Sequence, residues 1–147
     1  MQLNDTRTSP VSENPKAETA VIQEEAGELS PTWFLAAEAA QAKQGVNLVA
    51  FDLRGITTMA DVFLICHGRN NRQNQAIADE IENELKREAG ERPVSIEGYQ
   101  TGEWILLDYG DLVVHVFSEK ARAYYDLDRL YRGATKLTLP VESNPQT

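Results

Sequence analysis

The chain has 147 residues, 23 acids against 14 bases for a net charge of −9, 41% hydrophobic residues and a single cysteine. This suits one domain with tails, and no apolar run approaches the length of a membrane span. The charge argues against a nucleic-acid binder, which needs a basic face to displace phosphate counterions, and favours a basic protein partner. Cys66 alone excludes an internal disulfide and points to a reducing, cytoplasmic compartment.

Residues 1–29 are rich in Asn, Ser, Thr, Pro and Glu, a composition that cannot offset the entropy of ordering, and read as a disordered acidic tail. Val21 to Ala26 has the pattern of a transient helical turn. The first thirty residues hold six acids and two bases, the wrong bias for an organelle-targeting segment. Ser30-Pro31 then reads as a cap and first helical position, opening a helix over Thr32–Gln44 that Gly45 ends, with Trp33, Ala36, Ala37 and Ala40 on one face. Asn47–Leu53 and Asp61–Gly68 are continuous apolar runs, the pattern of strands covered on both faces.

Asn70 with Gln73 resembles a capping box for a helix that reaches about Ala89 and stops at Gly90. A strand over Pro93–Tyr99 follows. Ser118 can cap a last helix over about Glu119–Arg132, whose core-facing arc would be Ala123, Tyr124, Leu127, Leu130, Tyr131 and Ala134. Tyr125 falls outside that arc as an exposed aromatic. Residues 140–147 return to tail composition, leaving a domain over 30–139. The element order predicts an α/β domain, a single mixed sheet of about five strands flanked by helices.

Between Arg92 and Lys120 there is no Lys or Arg, whereas Glu97, Glu103, Asp108, Asp111 and Glu119 all fall in this stretch. Gly110-Asp111 signals a two-residue turn between apolar runs. That register faces Trp104 with Phe117, Leu106 with His115 and Asp108 with Val113. Alternation then places Trp104, Leu106, Asp108, Val113, His115 and Phe117 on one face. Ile105, Leu107, Val114 and Val116 form the other, with Leu112 beside Tyr109. The second face belongs against a core; the first is half covered by a helix or reserved for a partner.

Catalytic readings find little support. Nucleotidyl transfer needs a Gly-Ser turn for the triphosphate and two carboxylates sharing Mg²⁺. Here Arg69 follows Gly68, and Asp126 and Asp128 lie two helical positions apart, so their side chains diverge. Asp52 and Asp61 flank separate strands without further ligands. His67 and His115 are too few and too widely spaced for a zinc site. The expectation for His115 is a half-buried residue bonded to Asp108 or a backbone carbonyl, and for Cys66 an inert core thiol. Arg69 and Arg72 before a helix N-terminus raise phosphate binding, but the loop has one Gly and no Gly-Lys-Ser, and an ordinary strand-to-helix connection fits better. Trp104 and Tyr99 among carboxylates have instead the character of interface anchors that steer a Lys/Arg-rich surface.

The segments Asp61–Ile65, Arg72-Gln73, Glu97-Gly98-Tyr99, Trp104 to Phe117 with its Leu107-Asp108-Tyr109-Gly110-Asp111 centre, and Tyr124-Tyr125-Asp126-Leu127 resemble the ribosomal silencing factor (Iojap) family over about Pro31–Leu137. The resemblance implies a nucleotidyltransferase-like fold without the active site and without a cofactor. It implies a translational repressor that binds the large ribosomal subunit through ribosomal protein fourteen, blocks small-subunit joining when nutrients are scarce, and is a homodimer when free. Carried over by position, the partner-binding residues are Trp104, Glu97, Tyr99, Asp108, Tyr109 and His115. Two departures stand out: Arg69 and Asn70 where the family commonly has Thr and Ser, and Tyr131 where it often has Trp. The competing function is a nucleotide-binding or nucleotidyl-transferring enzyme on the same fold.

Overall fold

Two continuous apolar runs become the centre of the sheet. In a computed structural model that describes residues 28–141, β1 (Val46–Asp52) and β2 (Val62–Gly68) pair antiparallel, and every residue of β2 is buried. On its other side β2 pairs in parallel with β5 (Leu112–Ser118), so Phe63 lies beside Val113, Ile65 beside His115 and His67 beside Phe117. The expected hairpin joins β4 (Trp104–Asp108) to β5 in the anticipated register, from Trp104 opposite Phe117 to Asp108 opposite Val113. Gly110 takes the positive φ that its turn requires.

The sheet has six strands, not five, in the order β3-β4-β5-β2-β1-β6. β3 (Ser95–Glu97) is one edge and pairs with β4, Glu97 opposite Leu106. The strand beyond the expected set is β6 (Thr135–Lys136), which pairs with Phe51 and Asp52 at the other edge. Its two residues are exposed and carry no apolar pattern. The β1–β6 register, not hydrophobicity, places it.

Two helices cover one face. The first, α1 (Thr32–Ala42), buries Ala36, Ala37, Ala39 and Ala40 and is shorter than expected. Lys43 caps it, Gln44 takes the left-handed conformation expected of Gly45, and the Gly45 amide returns to the Ala40 carbonyl. Pro31, not Ser30, is the residue at the N-cap. The second, α2 (Asn71–Ala89), buries Ile77, Ala78, Ile81 and Leu85 and follows its sequence signals at both ends, with Asn70 capping the Gln73 amide and Gly90 left-handed. Pro140 is buried, and its carbonyl accepts from Gln41 Nε2 at 3.0 Å. Residues 1–27 and 142–147, including all but the last two residues of the expected disordered segment and the Val21–Ala26 turn, lie outside the described residues. No helix among the described residues is long and apolar enough to cross a membrane.

The opposite face is covered only in part. The expected long last helix is broken: α3 (Glu119–Tyr125) ends at left-handed Asp126, and α4 (Leu127–Leu130) follows. Asp tolerates this conformation because its short carboxylate finds a local partner, here Arg129 at 3.1 Å. The break turns Leu127, Tyr131 and Ala134 toward a core of Phe51, Leu53, Phe63, Ile65, Val113 and Phe117. It also overturns half of the predicted arc, because Tyr124 and Leu130 are 79% and 69% exposed and Ala123 is exposed too. Ala121 supplies the buried contact of α3 instead. Tyr125 of α3 reaches the Trp104 ring, and Trp104, Leu106 and Asp108 stay half-buried beside exposed Glu97.

The loop into β4 fixes where that open region begins. Gly98 has φ of 79°, and a Cβ there would collide with the Trp104 carbonyl oxygen. Gly98→Ala should therefore destabilise the domain by at least about 2 kcal/mol in urea unfolding. A loss below about 0.5 kcal/mol would show that this crossing is not constrained.

Candidate functional site

The β4–β5 register assembles an aromatic cluster around Trp104. Its Nε1–H donates to Nδ1 of His115 at 3.1 Å, diagonally across the pair. Phe117, directly opposite, lies 4.9 Å from the indole between ring centroids, and Tyr125 from α3 lies 4.6 Å away. Tyr124 then meets Tyr125 edge-on at 5.0 Å. The indole is thus gripped at its N–H and flanked by rings, while part of it remains open to solvent.

Accepting at Nδ1 requires a neutral imidazole with its proton on Nε2. His115 is buried, and burial pushes its pKa down to about 4. Its Nε2 has no hydrogen-bond partner among the described residues, and Phe63 packs against the ring edge-on at 4.5 Å. The expected bond to Asp108 is not made. The Asp108 carboxylate accepts from the Gly110 amide of its own turn at 2.8 Å, a nearer donor. His115 is also fully interior, not half-buried, since Phe63, Phe117 and Trp104 surround it.

The six residues carried over by resemblance divide between the two faces. Glu97, Trp104, Asp108 and His115 share one, by the pairings of Glu97 with Leu106 and of Leu106 with His115. Three of them reach solvent, and His115 supports from beneath. Tyr99 and Tyr109 do not join them. The Tyr99 hydroxyl donates to Asp79 of α2 at 3.0 Å, which raises its pKa, and its carbonyl accepts from Gln75. Tyr109 alternates with Leu107 onto the helix-covered face, where burial pushes its phenol up to about 12. Sequence reasoning missed Tyr124 and Leu130 as surface residues because it assumed an unbroken helix. It did single out Tyr125, which lies against the indole.

A second cluster fixes the segment that carries the tyrosines. Arg122 Nη1 donates to the Val46 carbonyl at 3.2 Å and to His67 Nδ1 at 3.0 Å, while Nε and Nη2 grip the Asp128 carboxylate at 3.1 and 2.8 Å. One guanidinium therefore ties α3 and α4 to β1 and β2. Its hydrogen bond holds the Asp128 pKa down, and burial together with the neighbouring cation lowers that of His67.

The features required for nucleotide chemistry are otherwise engaged. At the Gly68 loop, the Gln73 amide donates to Asn70 Oδ1 at 2.8 Å and the Arg69 amide to Gln73 Oε1 at 2.6 Å, so side chains occupy two amides that a phosphate would need. Asp126 pairs with Arg129, Asp128 with Arg122 and Asp52 with Arg54. Burial and the nearby Asp111 raise the Asp61 pKa. No group of three or more candidate metal ligands occurs among the described residues. Cys66 is fully buried, and burial pushes its thiol up to about 12, as expected of an inert core residue.

His115 makes the cluster acid-sensitive in a defined window. Its folded pKa of about 4 lies below the ordinary 6.5, so the unfolded chain binds the extra proton first as pH falls between them. Stability should be unaffected by this group above pH 6.5 and decline toward pH 4, by up to about 3 kcal/mol. Urea unfolding over that range should show a shallower decline for His115→Leu than for the native chain. Parallel curves would contradict the assignment.

Known proteins resemble this chain in sequence and in fold. Residues 27–147 match the family model for ribosomal silencing factor during starvation. Ribosomal silencing factor RsfS of Halalkalibacterium halodurans is 43% identical over 105 residues, covering 71% of this chain and 89% of its own. The Bacillus subtilis protein of the same name is 43% identical over 100 residues, covering 68% and 84%. A crystal structure of a Chromobacterium violaceum protein aligns with a TM-score of 0.68 at 34% identity, over 80% of this chain and 97% of the other. The open sheet with helices on both sides and the Trp104-to-Phe117 hairpin are thus features of a chain that belongs to the ribosomal silencing factor family.

Proposed function

We propose that this protein is a non-catalytic translational repressor that docks on the large ribosomal subunit through ribosomal protein fourteen and sterically prevents the small subunit from joining. The observation that carries the reading is the half-open indole of Trp104, held by His115 and Tyr125 on a face that also bears Glu97 and Asp108. A preorganised aromatic loses little side-chain entropy on binding, which suits it as an anchor. The carboxylates around it suit a Lys/Arg-rich ribosomal protein, and the arrangement offers no nucleophile or base aimed at a substrate. The family name supports a ribosome-associated, regulatory role, and a cytoplasmic location goes with such a role. The homodimer implied by resemblance belongs to this proposal as the unbound form.

The enzymatic alternative requires a phosphate cradle and a carboxylate pair, and weighing against it are the occupied amides at Arg69 and Gln73 and the arginine-paired aspartates. A titration with ATP and Mg²⁺ separates the two, because only the enzyme reading calls for saturable binding.

Trp104→Ala should weaken binding to isolated large subunits at least about tenfold, as removal of one anchor does, while the unfolding midpoint shows that the domain still folds. Near-native affinity in a sedimentation assay would remove Trp104 as the anchor. Affinity of the native chain should also fall as potassium chloride rises.

A further inference from the structure

The two ends of the strands differ in their balance of charge. Where β4 and β5 turn, Asp111 and Asp52 act on Asp61, whose amide donates to the Asp111 carbonyl at 2.8 Å, with Arg54 the cation nearby. At the opposite end, where β2 and β5 finish side by side at Gly68 and Ser118, the character reverses. Lys43 follows α1, Arg69 and Arg72 lie at the start of α2, and Lys120 lies in the first turn of α3. The side chains of all four are exposed, and none has a carboxylate within ion-pair distance among the described residues. Gln73 holds the group together: its Nε2 donates to the carbonyls of Lys43 and Gln44 at 3.1 and 3.2 Å, and its Oε1 accepts from the Arg69 amide.

Two further features mark this end. The first turn of the 19-residue α2 contains no acid, and Arg72 occupies it. Positive charge there opposes the helix dipole, so the placement works against helix stability. The acids nearby are Glu119 and Glu103, and the latter is engaged, accepting from Ser118 Oγ at 2.9 Å and facing Asn71 Nδ2 at 3.5 Å. Because Glu103 immediately precedes Trp104, that link also makes the basic end continuous with the aromatic face.

What the cations suit is a polyanion and not a single phosphate. The loop amides are taken by Asn70 and Gln73, so there is no cradle, only outward-pointing charges on flexible stems spread over three elements. Such an array matches a phosphodiester backbone, which is recognised by charge spacing and not by enclosed donors. A ribosomal surface presents RNA beside its proteins. We infer that Lys43, Arg69 and Arg72, with Lys120 in support, contact the backbone of ribosomal RNA next to the protein on which Trp104 docks. The inference rests on the docking proposed above. It is compatible with the overall charge, since the contact is local and reads no base sequence.

The test compares two binding partners with the full chain. Lys43→Gln, Arg69→Gln and Arg72→Gln combined should weaken binding to isolated large subunits about tenfold at moderate salt. The combination should also make the slope of log affinity against log potassium chloride shallower by about 2, near 0.7 to 0.9 for each phosphate that is no longer neutralised. Affinity for purified ribosomal protein fourteen should stay within about twofold of native, since that interaction keeps its aromatic anchor. Arg69→Lys with Arg72→Lys should retain subunit binding, because a phosphate backbone asks for charge and not a planar fork. An unchanged affinity or slope on subunits, or an equal weakening on the isolated protein, would overturn the RNA contact. If Trp104→Ala abolishes binding and the triple variant does not, docking stands and the RNA contact falls. If the native chain fails to sediment with subunits at all, both fall together.

Discussion

A single hydrogen bond, from the indole of Trp104 to the imidazole of His115, decides what the open face of this sheet can do. An indole N–H left without a partner at a half-buried position costs about 1–3 kcal/mol, so the ring would otherwise turn its polar edge toward water. With Nδ1 of His115 beneath it, the N–H is satisfied inside and the apolar part of the ring is left outward. The strand pairing makes this possible. Trp104 opposite Phe117 places His115 one diagonal step away, and the parallel β2–β5 pair holds His115 beside Ile65 in the core. The cost is an imidazole that must stay neutral and whose second nitrogen is unpaired among the described residues.

The rest of the open face follows from an asymmetry between the two layers. One side is sealed by two helices whose small and aliphatic residues fit a flat apolar surface, Ala36, Ala37 and Ala40 from α1 and Ile77, Ile81 and Leu85 from α2. The other is covered only in part, because the chain breaks helix at Asp126 and Arg122 fixes the short α4 back onto β1 and β2. That geometry sets Tyr125 against the indole and leaves Tyr124 and Leu130 at the surface, continuous with the sheet edge. The same features that close the core therefore define the limits of the exposed aromatic patch.

Much of this was legible in the residues. Gly110-Asp111 fixed the hairpin register, and with it the face shared by Trp104, Asp108 and His115, because a two-residue turn permits few registers. The capping pair Asn70 and Gln73 marked the start of α2. The broken helix was hidden, since Tyr124, Tyr125, Asp126 and Leu127 contain no Gly or Pro, and the break is held by the Asp126–Arg129 and Arg122–Asp128 ion pairs together with the Arg122 bonds to Val46 and His67. β6 was hidden because two exposed residues carry no periodicity. Tyr99 and Tyr109 were grouped with Trp104 by resemblance, whereas strand alternation already put Tyr109 on the other side. The partner of His115 could not be read, because Asp108 and Trp104 are both near it in the register and only the turn amide of Gly110 decides between them.

Docking through the face around Trp104 can be followed residue by residue, because a second tryptophan serves as control. Trp33 lies on α1, away from that face, against Phe34. Oxidative footprinting of the full chain, free and bound to isolated large subunits, should show protection at Trp104, Tyr124 and Tyr125 with Trp33 unchanged. Protection of Trp33 with Trp104 as reactive as in the free protein would contradict it.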